Sequence, residues 1–393
     1  MSKKRILFVI DSLTVGGAEK SLVTLLNLLD YSRYEVDLQL FSYGGTFEQF
    51  LPQEVRVLPA FDYDNYLKEP FLRQLLRPKM LGTRLLYSFL IRISGSTNSD
   101  RARLYWETIG KRFSMYERRY DVAIGYGQNL PTFFVIDKIN AEKKYVWVNC
   151  IFHIEGLNRR YQKRFYKTAD GIAIVSKEAF NHFAGIYPEF VNKMFVIMDL
   201  YDAAMINRMS ELPSDRSIVK DVPIIMTAGR LNKPQKGYDL ALEAAKILSD
   251  RGVRFRWYAI GDGPYRGEME RFIVENQLQD HFILLGFTAN PYSYMCQCDI
   301  YVQTSRYEGF GLTIAEARIL NRPVVCTNFE ACTMQMIDGK NGLITSFDPN
   351  DIADAIERLM KDKGLYQDIQ NYLKNEKKGN VDEIENFYKL IEG

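Results

Sequence analysis

The chain has 393 residues, of which 47% are hydrophobic and 25% are charged, and its formal net charge at pH 7 is +2. This length exceeds the size at which a single hydrophobic core usually stops growing, so we expect two domains. The ordinary composition excludes a long disordered tract, and the small net charge argues against a nucleic-acid-binding protein.

The N-terminus carries three basic residues, the short apolar run ILFVI and then Asp11. This run is too brief for the core of a signal peptide or for a membrane span, and it is typical of a first buried strand. The five cysteines lack the spacing of a zinc site, and their odd number favours a reducing compartment. We therefore predict a cytoplasmic protein.

Apolar runs alternate with longer segments of helical periodicity over residues 1–201. A glycine-containing loop and a helix with apolar pairs at 22/23, 25/26 and 28/29 follow the first strand. The runs DVAIGYG, KYVWVN, GIAIVS and FVIMD continue the pattern. Strands that are apolar on both faces are typical of a parallel sheet. We predict a Rossmann-like N-terminal domain over residues 1–201.

Residues 68–119 hold much of the positive charge, with twelve Lys or Arg against four Asp or Glu. Apolar residues between positions 71 and 93 recur at helical spacing, and four cations interleave with them: Arg73, Arg77, Arg84 and Arg92. This pattern suits an interfacial helix on anionic lipid headgroups, or a core-facing helix with a basic outer face. We predict peripheral association with the inner face of a membrane.

Residues 202–221 are polar and weakly periodic, which predicts a linker. The strand pattern restarts with IIMTAGR and continues with FRWYAIG, FILLG, DIYVQTS and PVVCT. We predict a second doubly wound parallel-sheet domain over residues 222–375, and a C-terminal amphipathic helix within 376–393 that can cross back to the first domain.

The turn after DIYVQTS has the pattern of a ligand site. The strand ends at Ser305, a glycine-containing turn follows, and a helix begins near Leu312. A helix N-terminus offers free backbone N–H groups and a positive dipole end, which suit a diphosphate. Glu308 in the turn and Glu316 eight positions later can face one crevice and accept hydrogen bonds from sugar hydroxyls.

This segment resembles the retaining glycosyltransferases of family 4, and the resemblance covers nearly the whole chain. The family signature E-x7-E falls on Glu308 and Glu316, and implies the donor sugar at Glu308 and the ribose at Glu316. It also implies the backbone of Phe310, Gly311 and Leu312 at the donor sugar and diphosphate. The implied fold is GT-B, an α/β fold with two Rossmann-like doubly wound parallel-sheet domains facing a cleft.

Three further stretches resemble the family. The stretch AGRLNKPQKG matches its G-R-L…K-G motif, so Arg230, Lys236 and Glu308 are the predicted catalytic residues, the two cations neutralising the leaving diphosphate. Gly16 and Gly17 match a Gly-Gly-Ala-Glu segment on the donor phosphate side. Where family members read W-V-H-N-D, this chain has Asn149 at the histidine position and His153 four residues later, and which of the two contacts the donor sugar stays open.

Two other motifs do not indicate a cofactor. Asp62–Asp64 is similar to the D-x-D metal motif of another glycosyltransferase fold, but it follows no strand of that fold. Residues 261–264, Gly-Asp-Gly-Pro, lack the G-x-G-x-x-G spacing of a dinucleotide site. We expect a metal-independent enzyme without a cofactor, in which the nucleotide-diphosphate sugar is a co-substrate.

The resemblance implies retaining transfer of a hexose or N-acetylhexosamine, with UDP as the expected carrier, to a glycan or lipid-linked acceptor in surface polysaccharide or glycolipid biosynthesis. Two alternatives stay open: a nucleotide-sugar epimerase or phosphorylase of similar fold, and a non-catalytic GT-B partner subunit. Fold alone identifies neither the donor nor the acceptor.

Overall fold

The computed structural model describes residues 3–14, 16–94, 97–149, 154 and 156–393. The chain divides into two compact units. Unit 1 comprises Met1–Met198 and Glu383–Gly393, and unit 2 comprises Asp199–Asp382. Each unit is built on one parallel β-sheet, as the alternating apolar runs predict.

The sheet of unit 1 has the strand order β3-β2-β1-β4-β5-β6-β7, so the direction of winding reverses between β1 and β4. Its strands are β1 (Lys4–Ile10), β2 (Tyr34–Leu40), β3 (Val55–Val57), β4 (Arg119–Gly125), β5 (Asn140–Val148), β6 (Gly171–Ile174) and β7 (Met194–Val196). Its first helices are α1 (Gly17–Leu28), α2 (Asp62–Lys68), α3 (Phe71–Leu75), α4 (Pro78–Ser94), α5 (Asn98–Thr108), α6 (Leu130–Lys138), α7 (Gly156–Thr168) and α8 (Lys177–Ile186).

The sheet of unit 2 has the order β10-β9-β8-β11-β12-β13 and reverses its winding between β8 and β11. Its strands are β8 (Ile224–Ala228), β9 (Arg256–Ile260), β10 (Phe282–Gly286), β11 (Ile300–Gln303), β12 (Val324–Thr327) and β13 (Gly342–Thr345). Its helices are α9 (Ala203–Ser210), α10 (Lys233–Lys236), α11 (Tyr238–Asp250), α12 (Arg266–Glu275), α13 (Tyr292–Met295), α14 (Leu312–Ile319), α15 (Pro349–Lys361) and α16 (Lys363–Asn375). Short 3₁₀ helices lie at Thr46–Phe50, Gly110–Arg112, Pro188–Lys193, Cys332–Met334 and Val381–Glu383.

Each sheet is apolar because helices cover both of its faces. Four consecutive residues of β1, from Ile6 to Val9, are fully buried. Aromatic rings fill much of the core of unit 1, and the Phe61 ring lies 4.5 Å from Phe113 and 5.1 Å from Phe134. These rings belong to the same buried cluster as Val9 of β1 and Ala123 of β4.

The boundary between the units differs from the predicted one. Residues 202–221 belong to unit 2 and do not form a free linker, because α9 lies within them and packs against α13 and α14. Ile206 and Met209 of α9 are buried in these contacts. An amphipathic helix of eight residues is too short to stand out from a polar stretch by periodicity.

The last helix, α17 (Ile384–Glu392), belongs to unit 1. Phe387 is 1% exposed, and its ring stacks on Phe8 of β1 with 5.9 Å between the ring centroids. Tyr388 stacks on Tyr34 of β2 at 5.7 Å. Unit 1 therefore includes the helix α17. The sequence analysis had left open whether a helix within residues 376–393 crosses back to the first domain.

None of the described helices combines the length and the apolar character needed to cross a lipid bilayer.

Replacing Phe387 by Ala should destabilise unit 1 by about 3–5 kcal/mol, because the change leaves a cavity against Phe8. Hydrogen exchange followed by mass spectrometry reads the peptides of unit 1 separately from those of unit 2. Lys389→Ala is the matched control, since Lys389 is exposed on the same helix. Equal protection of the unit 1 peptides in both variants would contradict the packing role of Phe387.

Candidate functional site

The candidate residues of unit 2 lie at the carboxyl ends of β8 and β11. These strands are neighbours, but the chain winds away from them in opposite directions. In open α/β sheets, loops that leave in opposite directions open a crevice where ligands bind. Arg230 and Lys236 follow β8, and Glu308 follows β11. The topology therefore brings the predicted catalytic residues to one edge of the sheet.

Lys236 and Glu308 are in direct contact. Lys236 Nζ donates to Glu308 Oε1 at 2.6 Å, and the side chains are 18% and 9% exposed. Ser305 Oγ donates to the same oxygen at 2.6 Å, and Gln303 Nε2 donates to it at 3.0 Å. A buried carboxylate needs such donors to offset the loss of water. Glu308 is therefore fixed in orientation by three hydrogen bonds.

Gln303 and Ser305, neither of which the sequence analysis predicted as a site residue, hold Glu308 in place from within unit 2. Both are buried, and Gln303 Oε1 accepts from Tyr301 OH at 2.9 Å and from Thr313 Oγ1 at 3.0 Å. Neither residue belongs to a spacing motif. The available signal is their position, since polar side chains at the end of an apolar strand must find partners when they are buried.

Gly237 lets the loop after β8 approach the loop after β11. Its φ is +61°, and a Cβ there would overlap the carbonyl oxygen of Thr304. The two loops are joined by Thr304 Oγ1, which donates to Lys236 O at 3.1 Å, and by Arg306 N, which donates to Gln235 O at 2.7 Å. This close approach holds the backbone of Lys236 beside Glu308.

Arg230 lies at the same edge in a different environment. It is exposed, and its side chain makes no hydrogen bond or ion pair with the residues that the structure describes. An exposed guanidinium keeps its donors available to an anion. Lys236 and Glu308 are thus in contact. Arg230, which precedes Lys236 in the same loop region, is exposed to solvent.

The turn before α14 is held by Gln335, another residue that the sequence analysis did not name. Gly311 has φ of +86°, a left-handed conformation that glycine adopts without steric cost. Gln335 Nε2 donates to Phe310 O at 2.6 Å and to Gly311 O at 3.1 Å. Leu312 is the first residue of α14, so the predicted backbone segment lies at a helix N-terminus.

Glu316 lies in the second turn of α14 and is 2% exposed. Tyr292 OH donates to Glu316 Oε1 at 2.8 Å. Burial and the neighbouring Glu316 carboxylate raise the pKa of Tyr292 well above its ordinary value, so this hydroxyl stays protonated and remains a donor. Glu316 is therefore anchored inside unit 2 by α13, a contact that the sequence does not indicate.

A second site lies in unit 1, at the carboxyl ends of β1 and β4, where the strand order also reverses. A cavity of about 700 Å³ opens there. It is lined by Ile10, Asp11, Ala18, Glu19, Thr97, Asn98, Ser99, Tyr126, Gly127, Gln128, Asn129, Asn149, Ile154 and Asn158. We refer to it as the unit 1 cavity.

The predicted residues of unit 1 lie at or beside this cavity. Gly16 precedes α1, and Gly17 is its first residue, next to Ala18 and Glu19 in the cavity wall. Asn149 lines the cavity, and its Nδ2 donates to Tyr126 O at 3.2 Å. His153 lies outside the described residues.

The D-x-D stretch forms the start of α2. Asp62 contacts the Arg77 guanidinium, and burial raises the pKa of Asp64 to about 6. In the part of the chain that the structure describes, no group of three or more His, Cys, Asp or Glu side chains could hold a metal ion.

Residues 209–376 match the glycosyl transferases group 1 family. The matched segment covers less than half of the chain. The matched segment contains Arg230, Lys236, Glu308 and Glu316 and lies within unit 2. The match to the group 1 family and the geometry at β8 and β11 therefore concern the same part of the chain.

Curated relatives of this chain include transferases. The chain is 32% identical over 167 residues to the alpha-D-kanosaminyltransferase of Streptomyces kanamyceticus, covering 42% of this chain and 43% of the relative. It is 30% identical over 175 residues to the poly(ribitol-phosphate) alpha-N-acetylglucosaminyltransferase of Staphylococcus aureus, covering 43% and 35%. The chain thus spans less than half the length of these two relatives.

Solved structures match the whole fold. A mutant of S. aureus TarM, crystallised with UDP, Fondaparinux and alpha-GlcNAc-glycerol, superposes with a TM-score of 0.69 at 16% identity, covering 99% of this chain and all of that one. Anabaena HepE in complex with UDP and glucose gives a TM-score of 0.66 at 17% identity, covering 99% of both chains. The chain therefore has the GT-B fold.

Replacing Gly237 by Ala should destabilise unit 2 by more than the roughly 1 kcal/mol expected for a left-handed glycine alone, because the added methyl group overlaps a backbone carbonyl. Gly252→Ala is the matched control, since Gly252 has φ of +68° and open space around its Cβ position. Urea unfolding, read by hydrogen exchange of unit 2 peptides, measures both variants. Equal losses of stability in the two variants would show that the overlap of the added methyl group with Thr304 O does not destabilise unit 2.

Proposed function

We propose that this chain is an active glycosyltransferase that binds a nucleotide-diphosphate sugar at the carboxyl ends of β8 and β11. The contact of Lys236 with Glu308, in the segment that matches the group 1 family, is the observation that carries the proposal. A cation and a fixed carboxylate at one sheet edge can hold a phosphate and a sugar hydroxyl together.

The donor needs stabilisation of the negative charge that grows on its diphosphate when the glycosidic bond breaks. Arg230 offers an exposed guanidinium, Lys236 an ammonium group, and the N-terminus of α14 backbone N–H groups. Fixed donors of this kind stabilise a developing anion without reorganisation. We propose that they act without a metal ion or other cofactor.

The two glutamates have separate proposed roles. Glu308 orients the donor sugar, because its remaining lone pairs can accept from sugar hydroxyls while three donors hold it in place. Glu316 contacts the ribose. In unit 1, Gly16 and Gly17 border the donor phosphates, and Asn149 or His153 contacts the donor sugar.

We propose retention of the anomeric configuration, by front-face attack of the acceptor hydroxyl with the departing phosphate accepting its proton. The donor carrier is UDP, which is named with the TarM and HepE structures. The transferred group is a hexose or N-acetylhexosamine. The acceptor is a glycan or a lipid-linked glycan, as in the name of a Campylobacter jejuni relative that acts on a diphospho-undecaprenol substrate.

Among the described cysteines, Cys296, Cys298, Cys326 and Cys332 are free, which supports a location in the reducing cytoplasm.

We also propose that α3 and α4 attach the protein to an anionic membrane surface. Leu76, Phe89 and Ile93 are 80%, 60% and 63% exposed. A row of large exposed apolar side chains on a helical surface is rare without a partner. Exposed cations accompany it at Arg73, Lys79 and Arg92. The apolar residues face solvent, which favours the interfacial helix over the core-facing one.

Two of the arginines named from the sequence have structural contacts. Arg77 contacts Asp62 and lies 3.4 Å from Glu69, and Arg84 donates to Gln74. These contacts hold α2, α3 and α4 together, so changing Arg77 or Arg84 would alter the fold of the segment as well as its charge.

Arg230→Ala and Lys236→Ala should each lower turnover of the donor about 10²–10³-fold, as loss of one donor to a developing anion does elsewhere. Release of nucleotide from UDP-, GDP- and ADP-sugars measures the effect. Arg271→Ala is the control, because Arg271 is an exposed cation of unit 2 at α12.

Thermal unfolding with UDP, GDP or ADP, with and without EDTA, tests binding separately from turnover. A ligand at a hundredfold its Kd stabilises the native state by about 2.7 kcal/mol, so a selective and EDTA-insensitive rise in Tm is expected. Unchanged Tm with every nucleotide would instead support the non-catalytic partner subunit. Nucleotide-sugar isomerisation without transfer would support the epimerase.

Changing Arg73, Lys79 and Arg92 together to Glu should weaken binding to phosphatidylserine vesicles roughly a hundredfold, because each cation near an anionic surface contributes about 1 kcal/mol. Vesicle sedimentation measures the partition coefficient. The control changes Arg271, Lys340 and Lys374 to Glu, which alters the net charge equally at exposed positions of unit 2. If both triple variants bind as the unmodified chain does, the membrane proposal is wrong.

A further inference from the structure

Two successive backbone N–H groups at the start of α14 have no acceptor within the part of the chain that the structure describes. The N–H groups of Gly311 and Leu312 donate to no backbone or side-chain oxygen there. Both residues are buried, and buried N–H groups are almost always paired in folded proteins. These two groups therefore call for an acceptor from outside the described residues.

Gln335 determines the direction in which these N–H groups point. Its Nε2 donates to Phe310 O at 2.6 Å and to Gly311 O at 3.1 Å. The described chain has no cis peptide bonds, and the C=O and N–H groups of a planar trans peptide unit point in opposite directions. Because both carbonyl groups face Gln335, the N–H groups of Gly311 and Leu312 face away from it, on one side of the turn.

The peptide unit between Phe310 and Gly311 depends most on this contact. Gly311 O has a second donor, since Ile314 N donates to it at 2.9 Å. Phe310 O, by contrast, accepts from Gln335 and from no other group among the described residues. Gly311 has φ of +86° and no side chain to restrict its backbone. Loss of the Gln335 donor would therefore leave this peptide unit free to rotate.

The backbone that carries Gln335 is itself fixed. Asn341 is fully buried, and its Nδ2 donates to Gln335 O at 2.8 Å. Asn341 Oδ1 accepts from Ile337 N at 2.9 Å, and Gln335 N donates to Cys332 O at 3.0 Å. Gln335 is 4% exposed. A side chain packed this closely has few alternative rotamers, so its Nε2 stays against the turn.

The amide of Gln335 pairs the turn while its own acceptor stays unpaired. Its buried Oε1 has no hydrogen-bond partner among the described residues. Turning the amide over would not correct this, because the two carbonyl oxygens of the turn can accept only from its nitrogen. An unpaired buried acceptor destabilises the folded state. The amide therefore serves the orientation of the turn more than the stability of the core.

We propose that Gln335 is a positioning residue for the diphosphate of the donor, which it serves by aiming the N–H groups of Gly311 and Leu312 at the phosphate oxygens. Successive N–H groups on one side of a turn form a concavity that binds anions, and the N-terminus of α14 adds the positive end of its dipole. Donors that are fixed before the ligand arrives need no reorganisation when charge develops on it. The proposal rests on the proposed donor binding at β8 and β11, and Gln335 acts through the turn without contacting the donor.

Paired ligands that differ only in the diphosphate test the proposal on the full chain: UDP with uridine, GDP with guanosine and ADP with adenosine. NMR titration measures the Kd of each ligand, including the weakly bound nucleosides. The ratio of the nucleoside Kd to the diphosphate Kd isolates the contribution of the phosphates. A change that only loosens unit 2 would not alter this ratio selectively.

Gln335→Met keeps the length of the side chain and removes its donor, so it should weaken diphosphate binding about tenfold, as loss of a hydrogen bond to a charged group does. Gln335→Asn is a milder change that draws the amide away from the turn, and it should weaken diphosphate binding about threefold. Both variants should bind the nucleoside as the unmodified chain does. Trp257→Phe is the control, because Trp257 is buried in the same sheet and donates to Thr227 Oγ1 at 2.9 Å, away from the turn. It should lower Tm and leave the ratio as it is.

Hydrogen exchange at single-residue resolution follows the two N–H groups in the unmodified chain. The diphosphate should slow exchange at Gly311 and Leu312, and the nucleoside should not. Unslowed exchange there, or a ratio that both Gln335 variants leave unchanged, would overturn the positioning role but not the proposed function, since the unmodified chain still binds a diphosphate. Binding of none of the three diphosphates by the unmodified chain would overturn both.

Discussion

Glu308 carries a carboxylate into the interior of unit 2, and compensation of that charge organises the surrounding residues. Removing one partner of a buried ion pair typically costs about 3–5 kcal/mol, because the other charge is left without compensation. Lys236 therefore has to reach Glu308 from another loop, which requires the close approach at Gly237. Ser305 and Gln303 supply the remaining donors. The same contacts that stabilise the loops hold polar groups in fixed positions at the sheet edge, which is the condition for electrostatic catalysis.

Both sheets reverse their winding once, and the charged side chains at the two reversals have opposite sign. In each sheet the winding reverses once, between β1 and β4 in unit 1 and between β8 and β11 in unit 2. The reversal in unit 2 carries the cations Arg230 and Lys236, while the reversal in unit 1 carries the acids Asp11 and Glu19. The same type of sheet thus places cations at one reversal and acids at the other, because the loops and not the sheet determine the side chains found there.

The fold was largely predictable because buried parallel strands form continuous apolar runs, as in β1, β8 and β11. Short edge strands such as β3 and β13, with three and four residues, give too little pattern to be found. The motif residues Lys236 and Glu308 could be named from their resemblance to a family. Tyr292 and Gln335 could not, because their partners Glu316 and Phe310 lie 24 and 25 positions away and become neighbours only after folding. Gln303 and Ser305 are close to Glu308 in the sequence, but they belong to no spacing motif that marks them. Helix α9 was missed for a related reason, since its apolar residues acquire meaning only against α13 and α14.

The return of α17 to unit 1 has a consequence for how the protein is made. Phe387 packs on Phe8, so the first strand of unit 1 is covered by a residue that the ribosome adds 379 positions later. Domains commonly fold as units in the order of their synthesis. Unit 2 is contiguous and is synthesised before α17, whereas β1 and β2 of unit 1 stay partly uncovered until α17 has been made. During that interval the nascent chain exposes the apolar surface that α17 later covers, and transiently exposed surface of this kind is prone to aggregation.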